Sequence, residues 1–240
     1  MKNSLANKYI KEKIRVALNE DFGASGDITS KTLSSQKSTL KASIYVKESA
    51  ILCGTEFAYQ TFKMLNNSIK IKTLRKDGSK VIKGDKIITV SGSAESILAA
   101  ERTALNFLGL MSGIASKTRK YVDIAKTYGV KIYSTRKTIP GIREMQKYAL
   151  TVGGAHINRS SLSDFYFIKD NHLSDGDNLI ESIKKIKRSK LKKKITVEVD
   201  TIKQLQEILD QKIDVVLLDN MTEKQILRLS LIHISEPTRL

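Results

Sequence analysis

The chain has 240 residues, 40% of them hydrophobic, with 42 Lys and Arg against 25 Asp and Glu for a formal net charge of +17. That length suffices for one barrel-sized domain or two smaller ones, and no run approaches the roughly 18 apolar residues that span a bilayer. One cysteine, Cys53, excludes an internal disulfide and a Cys-rich metal site, and an N-terminus without the apolar core of a signal peptide predicts a cytoplasmic protein.

A first helix is expected where Ile10, Ile14, Ala17 and Leu18 share a face. A glycine-containing segment, Asp21 to Asp27, follows it. Strand-like runs come next at 42–46, 69–71 and 87–90, with Asp77-Gly78 and Lys83-Gly84-Asp85 as turns. This first part, residues 1–110, reads as a small α+β domain.

From Ala99 to Tyr128 the apolar positions Leu105, Leu108, Met111, Ile114, Tyr121, Val122 and Ala125 suit helices, with an interruption expected near Ser112-Gly113 and a cap at Gly129. Strands and helices then alternate: strand 130–134, helix 142–152, strand 165–168, helix 178–188, strand 195–199, helix 201–209, strand 214–218 and helix 222–229. Such a βα repeat predicts parallel pairing, as in a (β/α) barrel. Asp177 and the boxes Thr201-x-x-Gln204 and Thr222-x-x-Gln225 mark helix starts.

Polar or charged groups stand at the C-terminal end of successive strands: Arg136 and Lys137, then Lys169 and Asp170, then Glu198 and Asp200, then Asp219 and Asn220. In a (β/α) barrel that face carries the active site. With Arg159 the cations form a pocket for an anion bearing both carboxylate and phosphate, since arginine offers a planar fork and lysine a point charge. A solvated basic surface is the competing reading. Glu198, inside the apolar strand 195–199, must face a polar lumen or pair with a lumen cation. Two carboxylates on successive strand ends, Glu198 and Asp219, suit Mg²⁺ held partly by substrate phosphate. The basic run 184–194 closes a helix and has no aromatics interleaved with its lysines, so the charge is not patterned for nucleic acid.

The segments EDFGASGDITS (20–30), ERTALNFLGLMSGIAS (101–116), STRKTIPGIREMQKYAL (134–150), VGGAHINR (152–159), IKDNH (168–172), VEVD (197–200) and LLDNM (217–221), in order and without large gaps, resemble quinolinate phosphoribosyltransferase, also called nicotinate-nucleotide pyrophosphorylase (carboxylating). The resemblance implies a type II phosphoribosyltransferase: an N-terminal α+β domain, an incomplete (β/α) barrel over 111–229, and a homodimer or higher oligomer with shared active sites. Its substrates would be quinolinate and phosphoribosyl pyrophosphate, with Mg²⁺, and its products nicotinate mononucleotide, pyrophosphate and CO₂; nucleic acid and membranes would not be partners. Carried over by motif, Arg136, Arg159 and a neighbouring subunit's counterpart of Arg102 would clamp the two carboxylates, and Thr135 and Asn158 would line the same pocket. Lys137 and Lys169 would contact carboxylate and 5-phosphate, while Glu198 and Asp219 orient the ribose hydroxyls and the Mg²⁺-pyrophosphate.

Two departures stand out. Where the family has Asn-His-Arg this chain has Ile157-Asn158-Arg159, with His156 two positions before Asn158, so weaker substrate binding is expected. Residues 230–240 are expected to fall outside the family's pattern, and a barrel ending there is expected to be poorly stable and weakly active. The competing functions are a related enzyme with a mono-acid acceptor such as nicotinate, and a basic RNA-associated protein on an inactive enzyme fold.

Overall fold

The computed structural model describes residues 5–33, 38–173 and 178–235, with side chains described as far as residue 229. The chain divides between Ser160 and Ser161 into two compact units.

In the first unit, helix α1 (Asn7–Phe22) buries the anticipated Ile10, Ile14 and Leu18, and a short helix α2 (Ile28–Leu33) follows. Strands β1 (Thr39–Tyr45), β3 (Lys70–Thr73) and β5 (Lys86–Ser93) make an antiparallel sheet in the order β1-β5-β3. Strands β2 (Ala50–Ile51) and β4 (Lys80–Val81) form a separate antiparallel pair. Both expected turns put glycine at positive φ, 87° at Gly78 and 91° at Gly84, where a Cβ would be strained.

Helix α3 (Thr55–Leu65) is absent from the sequence expectation, and the reason is its cap. Its N-cap, Gly54, has no side chain to signal a start. The capping acceptor comes from 22 residues downstream: Asp77 takes hydrogen bonds from the Gly54 N–H (3.0 Å), the Thr55 N–H (2.9 Å) and the Thr55 hydroxyl (2.7 Å).

Helix α4 (Ala94–Thr127) is one unbroken helix of 34 residues, which corrects the expected interruption at Ser112-Gly113. Serine disturbs a helix when its hydroxyl competes for the helix's own backbone, but here Ser112 is occupied elsewhere. It accepts from the Cys53 N–H (2.9 Å) and donates to the Cys53 carbonyl (3.0 Å), and one turn on Ser116 accepts from the Ile51 N–H (2.8 Å). The helix therefore fastens to the chain around β2 along that stripe. Its first half packs Ile97, Ala100, Ala104 and Leu108 against the antiparallel sheet, and further along it Phe107, Met111 and Ala115 pack against α1 and α3. It ends in a Schellman motif, with the Val130 N–H bonded to the Ala125 carbonyl (3.0 Å) and the Gly129 N–H to the Lys126 carbonyl (3.1 Å).

That closure explains why strand β6 (Tyr133–Ser134) is shorter than the expected 130–134: Val130 belongs to the helix end. Helix α5 (Arg143–Val152) then leads to β7 (His156–Ile157), which pairs with β6 in parallel, Tyr133 opposite His156 and Ser134 opposite Ile157. Helix α5 approaches α4 so closely at Gly153 that a Cβ there would lie 2.6 Å from Thr118 Cβ and 2.7 Å from the Ala115 carbonyl oxygen.

The second unit is a parallel sheet in the order β10-β9-β8, built from β8 (Tyr166–Ile168), β9 (Ile195–Val199) and β10 (Val215–Leu218). Helices α6 (Leu179–Arg188) and α7 (Ile202–Ile208) bring Leu179, Ile183 and Ile208 onto Ile168, Ile195, Val197 and Val199. Both predicted capping boxes form, Thr201 with Gln204 and Thr222 with Gln225. Asp177 lies outside the described residues, and the side chain that caps α6 is Asn178, accepting from the Ile180 N–H at 2.9 Å. Helix α8 (Glu223–Ser235) runs beyond the expected end at 229. Residues 236–240 lie outside the described residues.

Three lysines of the basic run 184–194 are bound to carbonyl oxygens. Lys187 donates to Gln211, Lys193 to Ser163, and Lys192 to Lys187 at 3.1 Å. Ammonium groups near the end of α6 suit its negative pole and satisfy carbonyls.

Candidate active site

Parallel pairing sends the chain out of neighbouring strands at the same edge, and each unit has charged residues at that edge of its own sheet. Thr135, Arg136 and Lys137 leave β6, and Asn158 and Arg159 leave β7. Lys169 follows β8, Glu198 sits near the end of β9, and Asp219 follows β10. The structure thus gathers the expected residues in two sets, one per unit.

In the first set the arginines are drawn inward and the other residues face solvent. Arg159 is buried and Arg136 half-buried, whereas Thr135, Lys137 and Asn158 are exposed. The Lys137 N–H donates to Thr135 Oγ1 (3.1 Å), tightening the turn. Arg136 Nε and the hydroxyl of buried Ser134 are buried without a partner among the described residues. A buried donor left unpaired costs about 1 to 3 kcal/mol, and an anion seated at Arg136 would remove that cost. His156 is exposed on β7, its ring 5.2 Å from that of Tyr133.

Helix α5 holds this set in place, a contribution the sequence reading missed. Its Arg143 donates from Nε to Thr138 Oγ1 (3.0 Å) and from Nη1 to the Ser160 carbonyl (3.1 Å). Gln146 Oε1 accepts from the Ile139 N–H (2.8 Å), and the ammonium of buried Lys147 donates to the Arg159 carbonyl. The signal was present as polar residues at i, i+3 and i+4, but a helix face of that kind usually meets water.

The helix itself is anchored. Met145 and Ala149 are buried in the core, the Met145 N–H donates to Tyr9 Oη (3.3 Å), and the Tyr148 hydroxyl donates to Asp77 (2.9 Å). Burial, reinforced by the Asp77 carboxylate, pushes the Tyr148 phenol and the Cys53 thiol well above their ordinary ranges. Cys53 is therefore a protonated packing residue, not a thiolate nucleophile.

In the second set Lys169 Nζ lies 2.6 Å from Glu198 Oε2, with the carboxylate side chain 9% exposed and the lysine 36%. The ammonium also lies 4.8 Å from the Phe167 ring centroid. Strand alternation explains the placement of Glu198: Ile195, Val197 and Val199 face α6 and α7, so Thr196 and Glu198 face the other way. The Asp219 N–H continues the ladder to the Val199 carbonyl (3.0 Å), which seats that carboxylate beside the end of β9. Lys169 is set by its own turn, its N–H donating to His172 Nδ1 (3.0 Å).

Arg102 belongs to neither set. It lies on the exposed side of α4 and makes no hydrogen bond or ion pair among the described residues.

Mg²⁺ keeps several waters and takes one or two carboxylates plus substrate oxygens. Among the described residues no group of three or more His, Cys, Asp or Glu could form a closed metal cage. Asp219 and Glu198, on adjacent strand ends, fit the open kind of site, with Glu198 already charge-balanced by Lys169.

Comparison with known proteins identifies the family. Residues 27–112 match the family model "Quinolinate phosphoribosyl transferase, N-terminal domain", and residues 114–234 match "Quinolinate phosphoribosyl transferase, C-terminal domain". A probable nicotinate-nucleotide pyrophosphorylase [carboxylating] of Methanocaldococcus jannaschii is 37% identical over 221 residues, covering 91% of this chain and 76% of that protein. The chloroplastic nicotinate-nucleotide pyrophosphorylase [carboxylating] of Arabidopsis thaliana is 36% identical over 222 residues, and the match covers 88% of this chain but only 63% of the plant protein's length. A solved nicotinate-nucleotide pyrophosphorylase from Francisella tularensis superposes with a TM-score of 0.91 at 35% identity, covering 98% of this chain and 82% of that one. The fold is accordingly mixed α/β, an N-terminal α+β domain followed by a barrel-like C-terminal domain. With both family domains matched and relatives above one-third identity across most of its length, the chain belongs to the quinolinate phosphoribosyl transferase family.

Proposed function

We propose that the chain transfers the phosphoribosyl group of phosphoribosyl pyrophosphate to the ring nitrogen of quinolinate and releases the 2-carboxylate as CO₂, giving nicotinate mononucleotide and pyrophosphate for NAD biosynthesis. The observation that carries this reading is the parallel pair β6 and β7, which delivers two arginine-bearing loops to one edge while Arg136 keeps a buried Nε with no partner among the described residues. Two arginines at one edge suit an acceptor with two carboxylates.

Arg136 and Arg159 grip the carboxylates, with Thr135 and Asn158 lining the pocket. Arg102 completes the clamp from a neighbouring subunit, in a homodimer or higher oligomer with shared sites; its exposure on α4 beside exposed Leu98 and Leu110 supports that role. Lys137 and Lys169 neutralise carboxylate and phosphate charge, and Glu198 and Asp219 orient the ribose hydroxyls. Asp219 and Glu198 would hold Mg²⁺, which would supply charge neutralisation at the pyrophosphate.

As the bond from the anomeric carbon to pyrophosphate breaks, the pyridine nitrogen donates its electron pair to that carbon. The nitrogen then bears positive charge, and the electron pair left at ring carbon 2 by departing CO₂ is stabilised beside it until a proton replaces the carboxylate. The chain's contribution is orientation and preorganised charge, with no covalent nucleophile. Among the described residues no helix is long and apolar enough to cross a membrane, and a cytoplasmic location is part of the proposal.

Comparing quinolinate with nicotinate as acceptor tests the reading. Preference for quinolinate is expected, because a mono-acid gives the two-arginine clamp only one carboxylate to grip; preference for nicotinate would move the chain to a mono-acid enzyme.

A further inference from the structure

We infer that Arg143, Gln146 and Lys147 of α5 form a positioning bracket that sets the spacing between Arg136 and Arg159, and through it the affinity for the acceptor acid. The inference rests on the proposed function, which names that acid as quinolinate.

The bracket is continuous through the first unit. The Arg136 carbonyl accepts from the Thr138 N–H (2.9 Å) and from the Thr138 hydroxyl (3.4 Å), and the same hydroxyl oxygen accepts from Arg143 Nε (3.0 Å). A second nitrogen of that guanidinium, Nη1, donates to the Ser160 carbonyl (3.1 Å), and Lys147 holds the adjacent Arg159 carbonyl. Gln146 fixes Ile139 in the first loop. One rigid guanidinium therefore spans the loop after β6 and the loop after β7, and only a planar fork with separated donors can do so. A lysine at position 143 would keep the charge but could serve one loop at a time.

None of the three residues is assigned to the substrate. They act through the backbone on side chains that are, and small misplacement of such groups costs binding and rate far more than the lost bond itself. Because the bracket's two loops carry both arginines and, of the groups assigned to phosphate, only Lys137, its loss should fall chiefly on the acceptor and far less on phosphoribosyl pyrophosphate.

The test uses Arg143→Lys, Thr138→Val and Thr138→Ser in the full chain, with calorimetric binding of each substrate and thermal melting by circular dichroism. Loss of a charge-assisted bond to a positioned loop predicts about tenfold weaker quinolinate binding in R143K and T138V. Phosphoribosyl pyrophosphate binding and melting temperature should stay near those of the parent, and T138S, which keeps the hydroxyl, should retain quinolinate affinity. Unchanged quinolinate binding in R143K and T138V would overturn the bracket. So would a loss shared by both substrates together with lowered melting, which marks a merely structural role, or an equal loss in T138S. If the unsubstituted chain binds phosphoribosyl pyrophosphate but not quinolinate, the proposed acceptor fails instead, and the bracket's assigned ligand with it.

Discussion

Replacing Glu198 by Gln removes one charge and preserves shape at the point where the second unit concentrates its polar chemistry. Two bounds frame the cost: exposed ion pairs contribute about 0–1 kcal/mol, whereas breaking a fully buried pair costs about 3–5 kcal/mol. Glu198 is near the buried limit at 9% exposed, but Lys169 at 36% still reaches water and rests against Phe167. Glutamine also keeps a carbonyl acceptor for the ammonium, so the loss is the difference between a charge-assisted and a neutral hydrogen bond, about 1–2 kcal/mol. Against a typical stability of about 5–15 kcal/mol, such a variant stays about 99% folded. Urea titration by far-ultraviolet circular dichroism measures the stability change, and initial rates of nicotinate mononucleotide formation measure the function. A small stability loss with activity reduced by about 100-fold or more is expected if the carboxylate orients substrate. Activity retained within a few-fold, with the stability loss intact, would show that Glu198 is only the counterion of Lys169 and would refute the assignment.

Gly153→Ala should destabilise the chain by about 1–3 kcal/mol, because the added methyl meets Thr118 and the Ala115 carbonyl across the α4–α5 contact; an unchanged denaturation midpoint would contradict that packing. Cys53 should react with thiol reagents at neutral pH only after unfolding, since burial keeps the folded thiol protonated. The linkage has a definite sign: folded Cys53 and Tyr148 bind their protons more tightly than the unfolded chain does, so their stabilisation is complete below the ordinary values of 9.0 and 10.0 and declines as pH rises through and beyond them. A denaturation midpoint that rises between pH 9.0 and 10.0 would contradict this.

The parallel half of the fold was legible because its signals are local. The boxes at Thr201 and Thr222, the glycine at 129 and the short apolar strands each declare themselves within a few residues. The failures share a different cause, a partner distant in sequence. Helix α3 is capped by Asp77, and α4 continues through Ser112 because Cys53 occupies the hydroxyl. The site divides in the same way. Glu198 announced itself as a carboxylate in an apolar strand, and the structure adds Lys169 as its partner. The α5 bracket was hidden because its polar face meets loops rather than water.

The central claim is a decarboxylating phosphoribosyl transfer, and its most direct measurement uses quinolinate labelled in the 2-carboxylate, with phosphoribosyl pyrophosphate and Mg²⁺. The account predicts labelled CO₂, nicotinate mononucleotide and pyrophosphate in equal amounts, all dependent on phosphoribosyl pyrophosphate. A ribosylated product that retains the label, or no labelled CO₂ from chain that binds both substrates, would contradict it.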